Sequence, residues 1–279
     1  MNTLSEICQN MFENRELAKD EYIHENGLVY CAKCHTPRQT RIEVFGKIAT
    51  PPIMCACMQE AAEKEEEEHR CQEFLNRVSC LKANGLQDQA VREYTFANDK
   101  GYNPEMEKAH LYVEHWEEMQ ITATGLLLWG DVGTGKSFFA GCIANALIEK
   151  GIPVLMTNFS RILNTLSDMH SDDRNQFIDS FNLYTLLIID DLGIERNSEF
   201  ALEQVFNVID SRYRSNKPMI VTTNLTLTEL NDPADLAHAR IYDRILECCV
   251  PLRINNRNIR KENAKAQMNR AKALLCTES

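Results

Sequence analysis

The chain has 279 residues, 44% hydrophobic and 25% charged, which excludes a wholly disordered or fibrous protein and allows one or two globular domains. Its 41 acidic residues outnumber 30 basic ones, giving a formal net charge of −11, so the chain does not coat a polyanion by charge alone. No apolar run approaches the roughly 20 residues that span a membrane. Residues 1–16 lack the basic-then-apolar pattern of a signal peptide, so a cytoplasmic protein without membrane contact is expected. The charge is uneven: residues 251–279 hold seven basic and two acidic residues, so any nucleic-acid contact should be weak and local.

Residues 1–57 are short and mixed, with turn residues around two cysteine pairs, Cys31-Ala-Lys-Cys34 and Cys55-Ala-Cys57. A chain of this length with 11 cysteines is not a small secreted disulfide scaffold, and in a reducing compartment clustered cysteines suit a metal. Short pairs across a hairpin-length insert fit tetrahedral Zn²⁺ held by four thiolates at about 2.3 Å. The Cys-x-Cys pair is tighter than the usual Cys-x-x-Cys, and His35 stands beside the first pair as a possible substitute ligand. So short a segment hardly builds a core unaided, which makes the zinc structural. Cys142, Cys248 and Cys249 read as core residues; Cys8, Cys71, Cys80 and Cys276 carry no pattern.

Residues 58–81 contain neither Gly nor Pro and read as one helix, whose run Glu65-Glu66-Glu67-Glu68 is a solvated face. Asn84-Gly85 is a stop signal. It sets the expected boundary between a zinc module with an acidic helical linker, residues 1–84, and a second domain, residues 85–279. There helix and short apolar strand alternate. A helix over 104–120 opens with a proline in its first turn. Then come a strand at 126–129, a helix over 136–150 and a strand at 153–156. Helices over 160–169 and 174–181 are split by the polar stretch 170–173. A buried strand at 186–189, a helix over 199–214 and a strand at 219–222 follow. A helix over 234–247, a strand at 249–252 and a last helix over 258–275 complete the series. This alternation implies an α/β fold with a parallel sheet covered on both faces.

The chemistry sits at the first of these strand-to-helix turns. Gly130-Asp131-Val132-Gly133-Thr134-Gly135-Lys136-Ser137 matches G-x-x-x-x-G-K-[ST] in full, after a strand and before a helix. The glycines let successive backbone N–H groups point into one concavity, and the helix N-terminus adds positive dipole. Lys136 brings a point charge to the outer phosphates of ATP, and the Ser137 hydroxyl can ligate Mg²⁺. Leu186-Leu187-Ile188-Ile189-Asp190-Asp191 then supplies two acids where a buried strand leaves the sheet. Asp190 is placed to hold Mg²⁺ through water, and Asp191 to polarise the attacking water. Asn224, at the tip of the strand over 219–222, can orient that water between the γ-phosphate and Asp191. Arg240 and Arg244 share one helix face, and Arg260 starts the last helix.

The phosphate loop, the Leu-Leu-Ile-Ile-Asp-Asp-Leu-Gly strand, the Val-Thr-Thr-Asn strand and the Arg240/Arg244 and Asn258-Ile-Arg260 segments together resemble the AAA+ ATPases of the bacterial helicase-loader family, DnaC and DnaI type, and their IstB-type transposition-helper cousins. The likeness covers roughly residues 90–275. It implies a P-loop NTPase with a five-stranded parallel sheet, in which the Asn224 strand lies between the phosphate-loop strand and the acidic strand. It also implies Asn224 as polar sensor, Arg244 as an arginine finger acting on a neighbouring subunit, Arg260 as the arginine on the subunit's own nucleotide, and Tyr94-Thr95-Phe96 near the base. Phe159 and Arg161 fall where initiator-type relatives carry a DNA-touching helix, although helix packing explains them equally well. Two departures stand out. Only one helix fits after residue 252, so the lid is truncated and the base must be closed from elsewhere. Asp191 stands where many AAA+ proteins have the longer Glu, so hydrolysis is expected to be slow and partner-stimulated. DnaI-type loaders carry a zinc-bearing N-terminal domain that docks on the helicase. The resemblance therefore implies an ATP-dependent loader of a replicative helicase hexamer, self-associating in its ATP state and holding single-stranded DNA weakly. The alternatives are an IstB-type transposition helper and a nucleotide-gated adaptor with negligible hydrolysis.

Overall fold

The computed structural model describes residues 17–44, 46–193, 198–233, 235–256 and 258–275; residues 1–16, and Cys8 and Cys276 with them, lie outside the described residues. The chain divides into two compact units, one ending at Leu75 and one running from Asn76 to Ser279.

In the first unit, strands β1 (Glu21–Ile23) and β2 (Val29–Cys31) form an antiparallel hairpin in which Glu21 faces Cys31. Strands β3 (Ile42–Val44) and β4 (Lys47–Ala49) form a second hairpin. Arg38 ties the first hairpin to the segment before it, bonding Asp20 at 2.7 Å and Glu21 at 3.0 Å. Cys55 precedes, and Cys57 falls within, the first turn of a helix, Ala56–Gly85, that crosses from the first unit into the second. The expected helix over 58–81 is thus longer at both ends. The glycine at its last position has a steric cause. A Cβ there would lie 1.9 Å from the Val154 carbonyl oxygen, and the next residue, the buried Leu86, makes a parallel bridge to Met156.

The second unit is built on five parallel strands: β5 (Gly125–Trp129), β6 (Val154–Asn158), β7 (Leu186–Leu192), β8 (Met219–Thr223) and β9 (Cys249–Arg253), in the order β6-β7-β8-β5-β9. The strand that leads into Asn224, β8, therefore lies between the phosphate-loop strand and the acidic strand, as the resemblance implied. Successive side chains of a strand point to opposite faces, and β7 shows this cleanly. Leu187 and Ile189 enter one core with Phe159, Ile162, Val205, Ile209 and Ile245, while Leu186 and Ile188 enter the other with Phe139, Ile143, Leu147 and Trp116. Burial on both faces is why β5, β7 and β8 carry unbroken apolar runs, whereas the edge strand β9 is mostly exposed. Phe159 is core, and Arg161 makes exposed bonds to Gln87 Oε1 at 2.7 Å and Asp88 Oδ1 at 2.9 Å. Cys142 and Cys249 are buried and Cys248 is half-buried.

Beyond that longer first helix, two short helices, Gln89–Arg92 and Leu227–Asn231, fall where none is expected, and two further helices have different bounds. The helix over 104–120 is two, Met106–Glu114 and Trp116–Ile121, broken at His115. The helix expected from 174 begins three residues earlier, as Ser171–Ser180.

Candidate nucleotide site and thiolate cluster

The carboxyl ends of β5, β7 and β8 converge, as ligand sites in open parallel sheets do. The phosphate loop leaves β5 with Gly130, Gly133 and Gly135 at φ of 141°, 82° and 99°, a region closed to most side chains. At Gly133 the space is closed as well, since a Cβ would stand 2.4 Å from Asn258 Oδ1. The loop opens the helix Lys136–Glu149, whose first residue is buried. Lys136 Nζ donates to the carbonyls of Gly130 (2.7 Å) and Asp131 (2.8 Å) and to Asn224 Oδ1 (2.8 Å). Burial pushes the Lys136 ammonium below its ordinary value, against the pull of Asp191 and Asp190.

Ser137 Oγ donates to Asp190 Oδ1 at 2.9 Å, joining the two groups expected to hold Mg²⁺. A serine whose proton goes to the carboxylate keeps its lone pairs for a cation. Asp191 follows in the left-handed region, at φ 60°, where β7 breaks register with β8 between Ile189 and Leu192. That conformation is uncommon for a non-glycine residue. Burial, and then the neighbouring Asp190 carboxylate, push the Asp191 carboxyl above its ordinary 3.8, while Arg260 and Lys136 pull it down. A carboxyl poised upward by such surroundings is suited to take a proton.

These groups line a cavity of about 450 Å³ shared by Lys136, Ser137, Asp191, Asn224, Ile259 and Arg260. The segment from Tyr94 to Asn103 closes its other side. Tyr94 packs edge-on against Phe138, and Gly141 makes room for it, since a Cβ there would come within 2.7 Å of the tyrosine. The wall of the cavity facing the phosphate loop is thus built from residues ahead of that loop. Of these, only 94–96 were indicated by sequence; Asn98, Asp99, Tyr102 and Asn103 lie in a 3₁₀ turn and loop that have no periodicity to find. The last helix, Ile259–Leu275, docks on the loop's apex: Ile259 N donates to Gly133 O and Asn258 Nδ2 to Val132 O, both at 2.9 Å. That contact places Arg260 at the pocket. Arg244 is elsewhere. On the helix Leu236–Cys248 it stacks over the Tyr213 ring at 4.5 Å and faces Asp210 at 3.5 Å and Glu247 at 3.7 Å.

In the first unit, Cys31, Cys34, Cys55 and Cys57 bring their sulfurs within 4.8 Å of one another. Four thiolates around zinc at about 2.3 Å stand about 3.8 Å apart, and the Sγ separations of Cys57 from Cys31 (3.6 Å) and Cys55 (3.4 Å) are close to that. The Thr36 hydroxyl holds the Cys34 thiol down at about 5. Crowding by Cys55, Cys34 and Cys31 pushes the last proton, on Cys57, up to about 12. Such a set suits a cation that carries off the accumulated charge. His35 stands apart, its Nδ1 3.4 Å from the Tyr22 hydroxyl, and the cluster is cysteine throughout.

A phosphate loop, an acidic strand two places away and a polar strand tip between them define a P-loop nucleotide-binding module of the AAA+ class. The sequence comparisons narrow this. A family model described as IstB-like ATP binding protein matches residues 57–267, and the chain belongs to that family. The replicative helicase loader DnaC of Escherichia coli (strain K12) is 25% identical over 188 residues, 66% of this chain and 73% of that protein. The replicative helicase loader DnaI of Bacillus subtilis (strain 168) is 28% identical over 150 residues, 49% of this chain and 47% of its own. A crystal structure of the DnaC helicase loader shares the fold with a TM-score of 0.50 at 24% identity, over 60% of this chain and all of the other.

Proposed function

We propose that this protein is an ATP-hydrolysing loader of a replicative DNA helicase. The observation that carries the reading is the Lys136–Asn224 and Ser137–Asp190 pairing around one cavity, found in a chain whose relatives include two helicase loaders. ATP lies with its phosphates in the concavity of Gly130–Ser137, met by Lys136. Ser137 and, through water, Asp190 hold Mg²⁺; Asp191 takes the proton of the attacking water, which Asn224 orients. Arg260 contacts the phosphates of its own subunit. Arg244, remote from its own pocket, completes the site of the neighbouring subunit, so hydrolysis is slow until subunits assemble. The cysteine module holds one Zn²⁺ and grips the helicase hexamer, while single-stranded DNA is held weakly. The family description favours a second reading, a transposition helper. Co-purification from the native cell with ATP present separates the two: recovery of a hexameric replicative helicase supports the loader, and recovery of a transposase in its place overturns it. Phosphate release measured with helicase and single-stranded DNA present distinguishes either from an adaptor without turnover.

A further inference from the structure

We propose that Thr222 is a positioning residue that holds Asp190 and Asp191 in their working relation through a single hydroxyl; this rests on the roles assigned to the two acids above. Thr222 is on β8 and has no exposed surface. A hydroxyl has one proton to give and lone pairs to accept with. Both capacities are used here on consecutive residues of the neighbouring strand. Thr222 Oγ1 donates to Asp190 Oδ1 at 2.5 Å and accepts from the Asp191 backbone N–H at 2.9 Å. The direction is forced, because an N–H can only donate, and this leaves the hydroxyl proton for the carboxylate.

The need for such a link follows from the local backbone. Ile189 pairs with Val221 but Leu192 pairs with Thr223, so β7 carries one extra residue between those points. A bulge removes a residue from the ladder and leaves its N–H to be satisfied some other way. Asp191 sits in that bulge at φ 60°, a conformation that persists only when its surroundings over-determine it. The Thr222 hydroxyl supplies the missing acceptor. Its other bond matters for the metal. Asp190 Oδ1 receives two donors, Ser137 and Thr222. Ser137 is committed to the cation as well, so Thr222 is the one donor of the pair that can fix the carboxylate without also ligating. A β-branched residue of the same shape but no hydroxyl fits the strand and breaks both links at once.

The test uses the full chain with Thr222→Val and Thr222→Ser, beside Asp190→Asn and Asp191→Asn. Binding of a fluorescent ADP analogue is titrated with Mg²⁺ and repeated in chelator, and phosphate release is measured under assembling conditions. Loss of a residue that orients a metal ligand costs about 10- to 100-fold in metal affinity or activity. Thr222→Val is therefore expected to bind the analogue normally in chelator, to need at least about tenfold more Mg²⁺ for its effect, and to hydrolyse at least about tenfold more slowly. Thr222→Ser should recover most of both. A purely structural threonine would lower the melting temperature without moving the Mg²⁺ dependence. If Thr222→Val does not fold, Thr222→Cys, a weaker donor of similar size, must show the same Mg²⁺ shift. Wild-type Mg²⁺ dependence and rate in the variant, or a serine variant as impaired as the valine one, overturns the inference. Silent Asp190→Asn and Asp191→Asn variants would instead overturn the roles of the acids, a distinguishable failure.

Discussion

On the reading that the cysteine module holds one zinc, chelation should unfold that module and leave ATP binding at the phosphate loop intact. Among the described residues up to Cys57, only Cys31 and Cys55 are buried. Several apolar side chains of the hairpins face solvent, Ile23 at 62% and Ile48 at 70% exposure, and Tyr22, Val29 and Tyr30 are only half-buried. Apolar burial therefore contributes little there, and the stabilisation must come from the ligands. A structural zinc in a small module contributes about 10–16 kcal/mol of folding free energy, as much as the whole stability of an ordinary domain at about 5–15 kcal/mol. All four ligands belong to the first unit and the phosphate loop to the second, so the loss should stay local. Elemental analysis of protein purified without chelator should find about one zinc per chain. After chelation, limited proteolysis should cut within residues 17–57, and ATP affinity should change less than twofold or so, since about 0.4 kcal/mol is all that allows. Acidification should act like chelation, because protons compete with the metal for thiolates. A zinc-free protein with a protease-resistant N-terminal unit, or a chelated protein unable to bind ATP, would refute the reasoning.

Arg244→Ala subunits should bind ATP normally yet hydrolyse poorly, Lys136→Ala subunits should fail to hydrolyse alone, and mixing the two should restore turnover; an Arg244→Ala protein active at the wild-type rate under assembling conditions contradicts a role in trans. The acidic limb of the pH–rate profile should lie above 3.8, because burial and Asp190 raise Asp191 and activity needs its ionised form; Arg260→Ala should move that limb higher, since Arg260 pulls it down, and an unmoved limb would detach Asp191 from catalysis. The same shift makes the folded state bind more protons than the unfolded one, so this group's contribution to stability falls as pH rises through the raised value. Arg212→Met should destabilise the second unit by at least about 3 kcal/mol by denaturant unfolding. Arg212 is 1% exposed and its guanidinium donates to the carbonyls of Phe181, Tyr184, Thr185 and Pro218; methionine removes all of these donors, and only Phe181 and Pro218 keep a backbone N–H, from Tyr184 and Leu187.

What sequence made legible is what short-range chemistry determines. Four apolar residues followed by two acids can be little other than a buried strand reaching its end, and the glycine spacing of the phosphate loop is dictated by φ values that the structure shows at three positions. The break at His115 was invisible because no glycine or proline marks it. Across it Trp116 still packs beside Tyr112 at a ring separation of 6.0 Å, as residues four apart do on an unbroken helix. The start at Ser171 is hidden because Ser-Asp-Asp has the composition of a loop, although short polar and acidic residues also suit the first turn of a helix. The partners of Arg244 on Asp210 and Tyr213 were beyond reach for a different reason. They lie on another helix, 34 and 31 positions earlier, and no local pattern links them. Thr222 was read within the strand motif, but its hydroxyl's task depends on a bulge in the adjacent strand.

The internal bonding of the nucleotide site bears on how ATP would be sensed. Lys136 is not waiting with an empty charge: two backbone carbonyls and the Asn224 amide oxygen already satisfy its three protons. Phosphate oxygens are charged acceptors and form hydrogen bonds roughly twice as strong as a neutral amide does, so under the proposed reading they displace Asn224 first, the partner on a separate strand. Asn224 then loses its donor and is left with an amide to direct at the γ-phosphate or the attacking water. Its own position is fixed by Thr223, whose hydroxyl donates to Leu192 O at 2.8 Å, so the exchange cannot be absorbed by a drifting strand tip. One lysine thus links nucleotide arrival on β5 to a partner change on β8, and β8 is also the strand that carries Thr222 against both acids. Under the same reading, binding and hydrolysis are coupled through positions 222 and 224 at the end of one strand rather than through a moving domain, which suits a module whose lid is reduced, among the described residues, to a single helix docked on the loop.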